Sequence, residues 1–246
     1  MASLPQKSDT YKVLNRAVGK ALHHYHMISD GDRIAVGISG GKDSLSLMRI
    51  LRDRQSYVPV KYELFGIYVD PGFPGSLGAS LEKYCGEKKD YLQVEYTDCG
   101  IMGHSPQNRE NPCFLCSKLR RKRLFDISAE LGCNKLALGH NKDDIIETLF
   151  LNIFYAGEIS TMVPSQPFFN GALRVIRPLA FVDEETIRRF AAEYKFPEFI
   201  NPCPTAKISK RQEIKTFLNS LYRKNKKIKG NIFRSMSRVK NDYLLK

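Results

Sequence analysis

No run of about 18 apolar residues occurs in the 246-residue chain, so no segment reads as a membrane-spanning helix. Met1-Ala2-Ser3-Leu4-Pro5-Gln6-Lys7 lacks the apolar region of a secretory leader. There is no internal repeat and no low-complexity linker, which excludes a solenoid or a string of tethered modules. These absences set the expectation of a soluble, cytoplasmic protein. In that compartment the six cysteines, at 85, 99, 113, 116, 133 and 203, favour metal, redox or buried thiols over a disulfide framework. Acidic residues are the other shortage, and it is local. From Lys207 to Lys246 there are 13 Lys/Arg against only Glu213 and Asp242, which is +11 of the total +13. The preceding 206 residues hold 26 basic and 24 acidic side chains. A surplus confined to one end is either a footprint for a polyanion or a solvated tail that aids solubility.

What is present centres on Ser39-Gly40-Gly41-Lys42-Asp43-Ser44. Residues 33–37 before it predict a short buried strand, and Leu45, Met48, Ile50 and Leu51 after it predict a helix to about Arg54. Glycines between a strand end and a helix start let the backbone turn tightly, so several N–H groups can face one anion. The helix dipole adds to this, and Lys42 brings a mobile positive charge for phosphate oxygens. Asp43 has the chemistry to hold a magnesium ion, and Ser39 and Ser44 offer hydroxyls. The Walker pattern, Gly-x-x-x-x-Gly-Lys-Ser/Thr, is absent. An ordinary glycine-rich turn is the plain alternative.

Along the rest of the chain, Ser8 or Asp9 is placed to cap a first helix reaching Ile28. Strands are predicted over 62–69, 91–96, 135–138 and 174–177. Helices are predicted over 77–89, 113–131, 143–155 and 183–194, with a long loop over 97–112. With 42% hydrophobic residues the chain can bury one good core. The alternation predicts an α/β fold, a doubly wound and mostly parallel sheet spanning 1–206, with a basic helical extension over 207–246 that starts at Ser209. Ligands in such sheets bind beyond the carboxyl ends of strands, where Ser39, Asp70 and Gly139 fall.

Three further groups carry chemistry. Gly139-His140-Asn141-Lys142-Asp143-Asp144 repeats the strand-to-helix setting, and its two carboxylates suit metal or substrate as well as simple capping. Cys113 and Cys116 head a helix, and five cations follow within six residues (Lys118, Arg120, Arg121, Lys122, Arg123). Thiols so placed have lowered pKa values and suit metal or redox work, while one Cys-x-x-Cys is only half of a four-ligand zinc site. Cys203 is a candidate third ligand, and Cys99 with His104 keeps a zinc alternative open. Cys85 and Cys133 read as buried small hydrophobes. In the extension, Phe217, Leu221 and Tyr222 give the helix an apolar face, and Arg223, Lys224, Lys226, Lys227 and Lys229 cluster at its end. This tail is expected to bind RNA and leave the chemistry to the rest of the chain. The rival expectation is that its apolar face docks and is needed for folding.

Together these residues resemble the PP-loop tRNA thiolation family, on its 2-thiocytidine branch. The likeness runs from about Tyr11 to Pro204. Residues 39–44 correspond to the PP-loop Ser-Gly-Gly-x-Asp-Ser of ATP-pyrophosphatases, Cys113 and Cys116 to the family's Cys-x-x-Cys, and Cys203 to its third cysteine. The match is dense through Leu119-Arg120-Arg121, Leu138-Gly139-His140, Asp143-Asp144-Ile145 and Ile176-Arg177-Pro178-Leu179. The zinc-binding cysteine pairs that the 2-thiouridine branch carries at both chain ends have no counterpart here. Pro204-Thr205-Ala206-Lys207 also departs from the second Cys-x-x-Cys often found after the third cysteine.

The resemblance implies an enzyme that uses ATP and Mg²⁺ and carries a 4Fe–4S cluster on Cys113, Cys116 and Cys203. It implies a tRNA substrate modified at cytidine 32, a sulfur donor such as a cysteine desulfurase or sulfide, and a homodimer. On this reading Ser39, Gly40, Gly41, Lys42, Asp43, Ser44, Asp70, Gly139 and His140 bind the nucleotide, while Lys42, Asp43 and Asp144 carry the catalysis. Three other readings stay open. They are thiolation of another RNA base or a small molecule, a metal-stabilised RNA-binding protein without catalysis, and a PP-loop ligase that transfers nitrogen and uses its cysteines for structure.

Overall fold

Ile34, Val36 and Ile38 face one side of a strand and Ala35 and Gly37 the other, and both sides are covered. A strand buried on both faces belongs in a parallel sheet sandwiched between helices. The computed structural model describes residues 8–109, 111–205 and 210–244. Its elements run α1 (Asp9–His24), β1 (Asp32–Ile38), α2 (Lys42–Gln55), β2 (Tyr62–Asp70), α3 (Gly78–Glu87), β3 (Leu92–Tyr96) and α4 (Cys99–Gly103). There follow α5 (Pro112–Glu130), β4 (Lys135–Ala137), α6 (Lys142–Leu151), β5 (Ser165–Phe168), β6 (Leu173–Ile176), α7 (Glu184–Glu193), α8 (Lys210–Lys224) and α9 (Lys227–Ser235). Contacts group the chain into two compact units, Met1–Asn141 with Val163–Ala206 and Lys142–Met162 with Lys207–Lys246. This draws the line differently from the 206/207 boundary read from composition. Residues 206 and 207, and the helix start at Ser209, lie outside the described residues.

The first unit holds a six-stranded sheet in the order β3-β2-β1-β4-β6-β5. All neighbours are parallel except β5, which runs antiparallel to β6. The chain steps outward from β1 to β2 and β3, then returns to place β4 on the other side of β1. The crevice of such a sheet lies at that reversal, beyond the ends of β1 and β4. On one face Ile34, Val36 and Ile38 pack with Leu14, Leu47, Ile187 and Phe190 from α1, α2 and α7. On the other, Ala35, Ile67, Leu136 and Val175 pack with Leu124 and Ile127 of α5.

Local chemistry sets the boundaries. Ser8 caps α1, its hydroxyl oxygen accepting from Tyr11 N–H. The helix stops at His24, short of Ile28, because His26 adopts a left-handed φ of 46°. Asn111 caps α5 by accepting from the N–H groups of Cys113 and Phe114, with Pro112 at the first helical position. Two features escaped the sequence. The expected 97–112 loop contains α4, whose two glycines in five residues carry little helix propensity. Edge strand β5 is four residues long and contains Pro167, which an edge tolerates.

In the second unit α6 runs on into a π-helical turn, Asn152–Ala156, where a continuous helix to Tyr155 was expected. Ile214 and Leu218 of α8 are buried against Ile146, with Phe150, Leu151 and Tyr222 packed around them. Phe150, Phe154 and Phe217 form a ring cluster with centroids 5.6–6.3 Å apart. The buried stripe is therefore Ile214, Leu218 and Tyr222, offset from the predicted one. Burying Ile214 and Leu218 contributes roughly 1.5–3 kcal/mol each. The tail helix α8 is thus a packed part of its unit.

Candidate functional site

The turn after β1 needs glycine at position 40. Gly40 has φ +79°, and a Cβ there would come within 3.2 Å of Leu77 Cδ1 and Phe199 Cβ. Gly41 precedes the first residue of α2 in extended conformation. Ser39 and Ser44 brace the turn from inside. Ser44 Oγ accepts from Ser39 N–H at 3.1 Å and donates to Gly41 C=O at 2.9 Å. Lys42 Nζ lies 3.1 Å from Asp43 Oδ2 and 3.0 Å from Glu184 Oε1. Burial alone would lower its pKa, but the Asp43 and Glu184 carboxylates outweigh that and raise it, so Lys42 stays charged. Asn141 Nδ2 donates to the second oxygen of Asp43 at 3.0 Å.

The second motif meets the first through Gly139. A Cβ on Gly139 would stand 3.0 Å from Ser44 N and 3.1 Å from the Asp43 carbonyl carbon. Only a residue without a side chain lets these two backbones come so close. His140 accepts at Nδ1 from Arg177 Nε at 3.3 Å, and Arg177 also donates to Val163 C=O at 2.5 Å. Burial, with Arg121 nearby, lowers the Arg177 pKa to about 10.

Between this junction and α5 lies a cavity of about 290 Å³. Ser39, Asp43, Ser44, Gly139 and His140 line one side, and Ser117, Arg120 and Arg121 the other. Arg120 Nε is buried and has no hydrogen-bond partner among the described residues. An orphaned guanidinium nitrogen beside a glycine turn at a helix start gives the cavity the chemistry of an anion site. Not all of the basic run faces it. Arg123 is taken up by Glu95 at 2.9 Å, Glu130 and Asp126. A second cavity, of about 510 Å³, lies on the other flank of Gly40, Gly41 and Lys42.

Cys113, at the head of α5, is drawn together with Cys203 by Thr205. Cys113 Sγ and Cys203 Sγ each lie 3.5 Å from Thr205 Oγ1, hence no more than about 7 Å from one another. His104 Nδ1 donates to Gly100 C=O at 2.9 Å, so its Nε2 accepts the Thr205 hydroxyl proton at 3.0 Å. The Thr205 oxygen is left to accept from the two thiols. Cys116 donates to Cys99, pulling the Cys99 thiol down to about 6 against its burial, with help from Thr97 and Arg120. The same bond, with burial, pushes Cys116 up. Cys85 and Cys133 are buried apart from this group, and burial pushes both thiols up to about 11.

Among the described residues no group of three His, Cys, Asp or Glu is arranged around a single metal ion. A cluster is ligated at separate irons, so Cys113, Cys116 and Cys203 fit a polynuclear iron–sulfur group in number and softness.

Asp70 does not join the cavity. It is buried at 2% exposure, and its carboxylate accepts from Gly72 N–H at 2.7 Å, Ser76 Oγ at 2.5 Å and Tyr68 OH at 3.2 Å. The strand-end position suggested a cofactor contact, but the turn after β2 uses the carboxylate for itself. Asp144 belongs to the second unit, where it meets Arg211. Sequence reasoning missed Glu184, Asn141 and Thr205. Glu184 lies 142 residues from Lys42 in sequence, and nothing in Pro204-Thr205 signals a hydroxyl shared by two thiols.

A family model described as a PP-loop domain matches residues 10–220. The tRNA-cytidine(32) 2-sulfurtransferase of Geobacter sulfurreducens is 40% identical over 239 residues, covering 96% of this chain and 93% of that protein. That of Geotalea uraniireducens is 38% identical over 237 residues, covering 95% and 94%. Among solved structures, the U34-tRNA thiolase NcsA from Methanococcus maripaludis, with its 4Fe–4S cluster, superposes with a TM-score of 0.78 at 25% identity. That match covers 96% of this chain and 80% of the thiolase. The NH3-dependent NAD synthetase of Campylobacter jejuni, at TM-score 0.53 and 14% identity, shares the fold.

Proposed function

The chain belongs to the PP-loop domain family, and from that premise we propose that it is an ATP-dependent tRNA sulfurtransferase acting on C2 of cytidine 32. The observation that carries this reading is the shared cavity. The glycine turn and Gly139 form one wall, and the helix headed by Cys113 and Cys116 forms the other. Nucleotide activation and sulfur chemistry then have one place to meet.

The amides at Gly40 and Gly41, Lys42 and the Ser39 and Ser44 hydroxyls hold the phosphates of ATP. Lys42 is already charged and anchored, so it meets phosphate without a proton change. Asp43, steadied by Asn141, is assigned to Mg²⁺. Asp144, on its own helix, is assigned separately to metal or substrate positioning. The buried Arg120 faces negative charge that develops as the cytidine C2 oxygen attacks the α-phosphorus and pyrophosphate leaves. A sulfur nucleophile then adds at C2 and AMP departs with the oxygen. Cys113, Cys116 and Cys203 would hold a 4Fe–4S cluster, and when bound it supplies an iron without a protein ligand at which sulfide is kept. Thr205 and His104 keep two of those thiols aimed at one point.

The reading assigns nucleotide and cluster to 1–206 and tRNA contacts to the extension. Arg223, Lys224, Lys226 and Lys227 support the latter. They stand in an exposed run between α8 and α9 with no acidic partner among the described residues. A cysteine desulfurase or free sulfide as donor, a homodimer and a cytoplasmic location complete the proposal. Among the described residues no helix is long and apolar enough to cross a membrane. The test is anaerobic incubation with ATP, Mg²⁺, sulfide and unmodified tRNA. We expect pyrophosphate release that depends on tRNA, and 2-thiocytidine at position 32 on nucleoside analysis. Absence of both, from protein that carries iron and sulfide, would sink the reading.

A further inference from the structure

We propose that Arg211, on the tail helix α8, is a positioning residue that holds the Asp144 carboxylate in one orientation. The inference rests on the sulfurtransferase reading, in which Asp144 serves metal and substrate. The first turns of α6 place Asp144, Glu147 and Thr148 on one face, at spacings of three and four residues. Two carboxylates on one face repel each other, and the Glu147 side chain is only 6% exposed, so water cannot carry its charge. Arg211 Nη1 lies 3.3 Å from Asp144 Oδ1 and 3.3 Å from Glu147 Oε2. Its Nη2 donates to Thr148 Oγ1 at 3.2 Å. Thr148 in turn donates to the Asp144 carbonyl oxygen at 2.8 Å, which turns its hydroxyl oxygen toward the guanidinium.

One planar cation thus bridges three groups, a task for a guanidinium and not for a point-like ammonium. The distances decide how tightly. A charge-assisted bond docked squarely on one carboxylate is about 2.7–2.9 Å. At 3.3 Å to each carboxylate the guanidinium is shared between Asp144 and Glu147 and docked squarely on neither. Packing fixes the point of arrival. Ile214 follows Arg211 by one helical turn, and it and Leu218 are buried against Ile146 of α6. The neighbouring carboxylate is held in the same manner, with Lys229 Nζ 2.5 Å from Asp143 Oδ1 and both side chains largely buried. The tail's cations therefore divide by task, inner ones setting the second motif and outer ones left to solvent.

The test compares wild type, R211M and R211K as anaerobic holoenzymes, with melting temperature and circular dichroism recorded for each. For R211M we expect tRNA-dependent turnover to fall about tenfold or more with KM for tRNA within roughly twofold of wild type. R211K should fall in between, roughly threefold below wild type, because it keeps the charge and loses the fork. If R211M does not fold, R211K decides alone. Folded variants with wild-type turnover, or with a loss confined to KM for tRNA, would overturn the positioning role. No tRNA-dependent pyrophosphate from wild type itself would instead remove the sulfurtransferase reading, and this role with it.

Discussion

The two halves of the candidate site are built in opposite ways. The nucleotide turn is contiguous. Ser39 to Ser44 brace one another through bonds spanning five residues or fewer, and the helix that follows locks them. The cysteine site draws on three segments: α4 with Cys99 and His104, α5 with Cys113 and Cys116, and the stretch with Cys203 and Thr205. One hydroxyl ties them across 92 and 101 residues. The difference teaches where each half is fragile. A local turn survives the loss of one side chain as a shape and fails only in chemistry, whereas an assembled site fails as an assembly.

The largest effect should come from the assembled half. Cys113→Ala, Cys116→Ala or Cys203→Ala should abolish bound iron and acid-labile sulfide and all thiolation, while Cys85→Ala and Cys133→Ala keep both. Iron and sulfide analysis after anaerobic reconstitution checks this, and full cluster content in Cys203→Ala would break the comparison. In the local half, Lys42→Ala and Asp43→Ala should keep the cluster yet lower ATP-dependent turnover by about 10²–10³, the scale for removing a preorganised charge from a transition state. Single-turnover rates alongside the cluster's absorbance separate the two effects.

A smaller effect tests the join between motifs. Gly139→Ala adds a Cβ 3.0 Å from Ser44 N. Overpacking of this kind costs about 1–3 kcal/mol. If about 1.4 kcal/mol of that falls on the nucleotide, ATP binding weakens roughly tenfold, readable by titration calorimetry. Unchanged affinity would show that the two backbones can part freely. The gentlest change lies in the outer tail cations. Replacing Arg223, Lys224, Lys226 and Lys227 by Gln should leave cluster and ATP affinity intact and reduce the slope of log K against log salt by roughly three for tRNA binding. An unaltered slope would remove these residues from the RNA surface.

The six-residue turn, the α/β alternation and the Cys-x-x-Cys were legible because each is written in neighbouring residues. A strand-to-helix glycine turn announces itself through periodicity and backbone freedom within a dozen positions. α4 and β5 were not legible, being short, rich in glycine or proline, and stabilised by what they touch rather than by propensity. The tail was half legible. Its charge and an apolar stripe were visible, but the register that buries Ile214 and Leu218 depends on the surface of α6.

The sequence by itself therefore determined the glycine turn, the parallel sheet and the pairing of two cysteines at one helix start, since hydrogen bonding and hydrophobic period act over short spans of chain. Only the tertiary structure decided that Glu184 steadies Lys42 and that Thr205 joins Cys113 to Cys203. It also decided that Asp70 is spent on its own turn and that Arg211 clasps Asp144. Each of these depends on where a polar group can find a partner once water is excluded. That is settled by packing between distant segments, which no local pattern encodes.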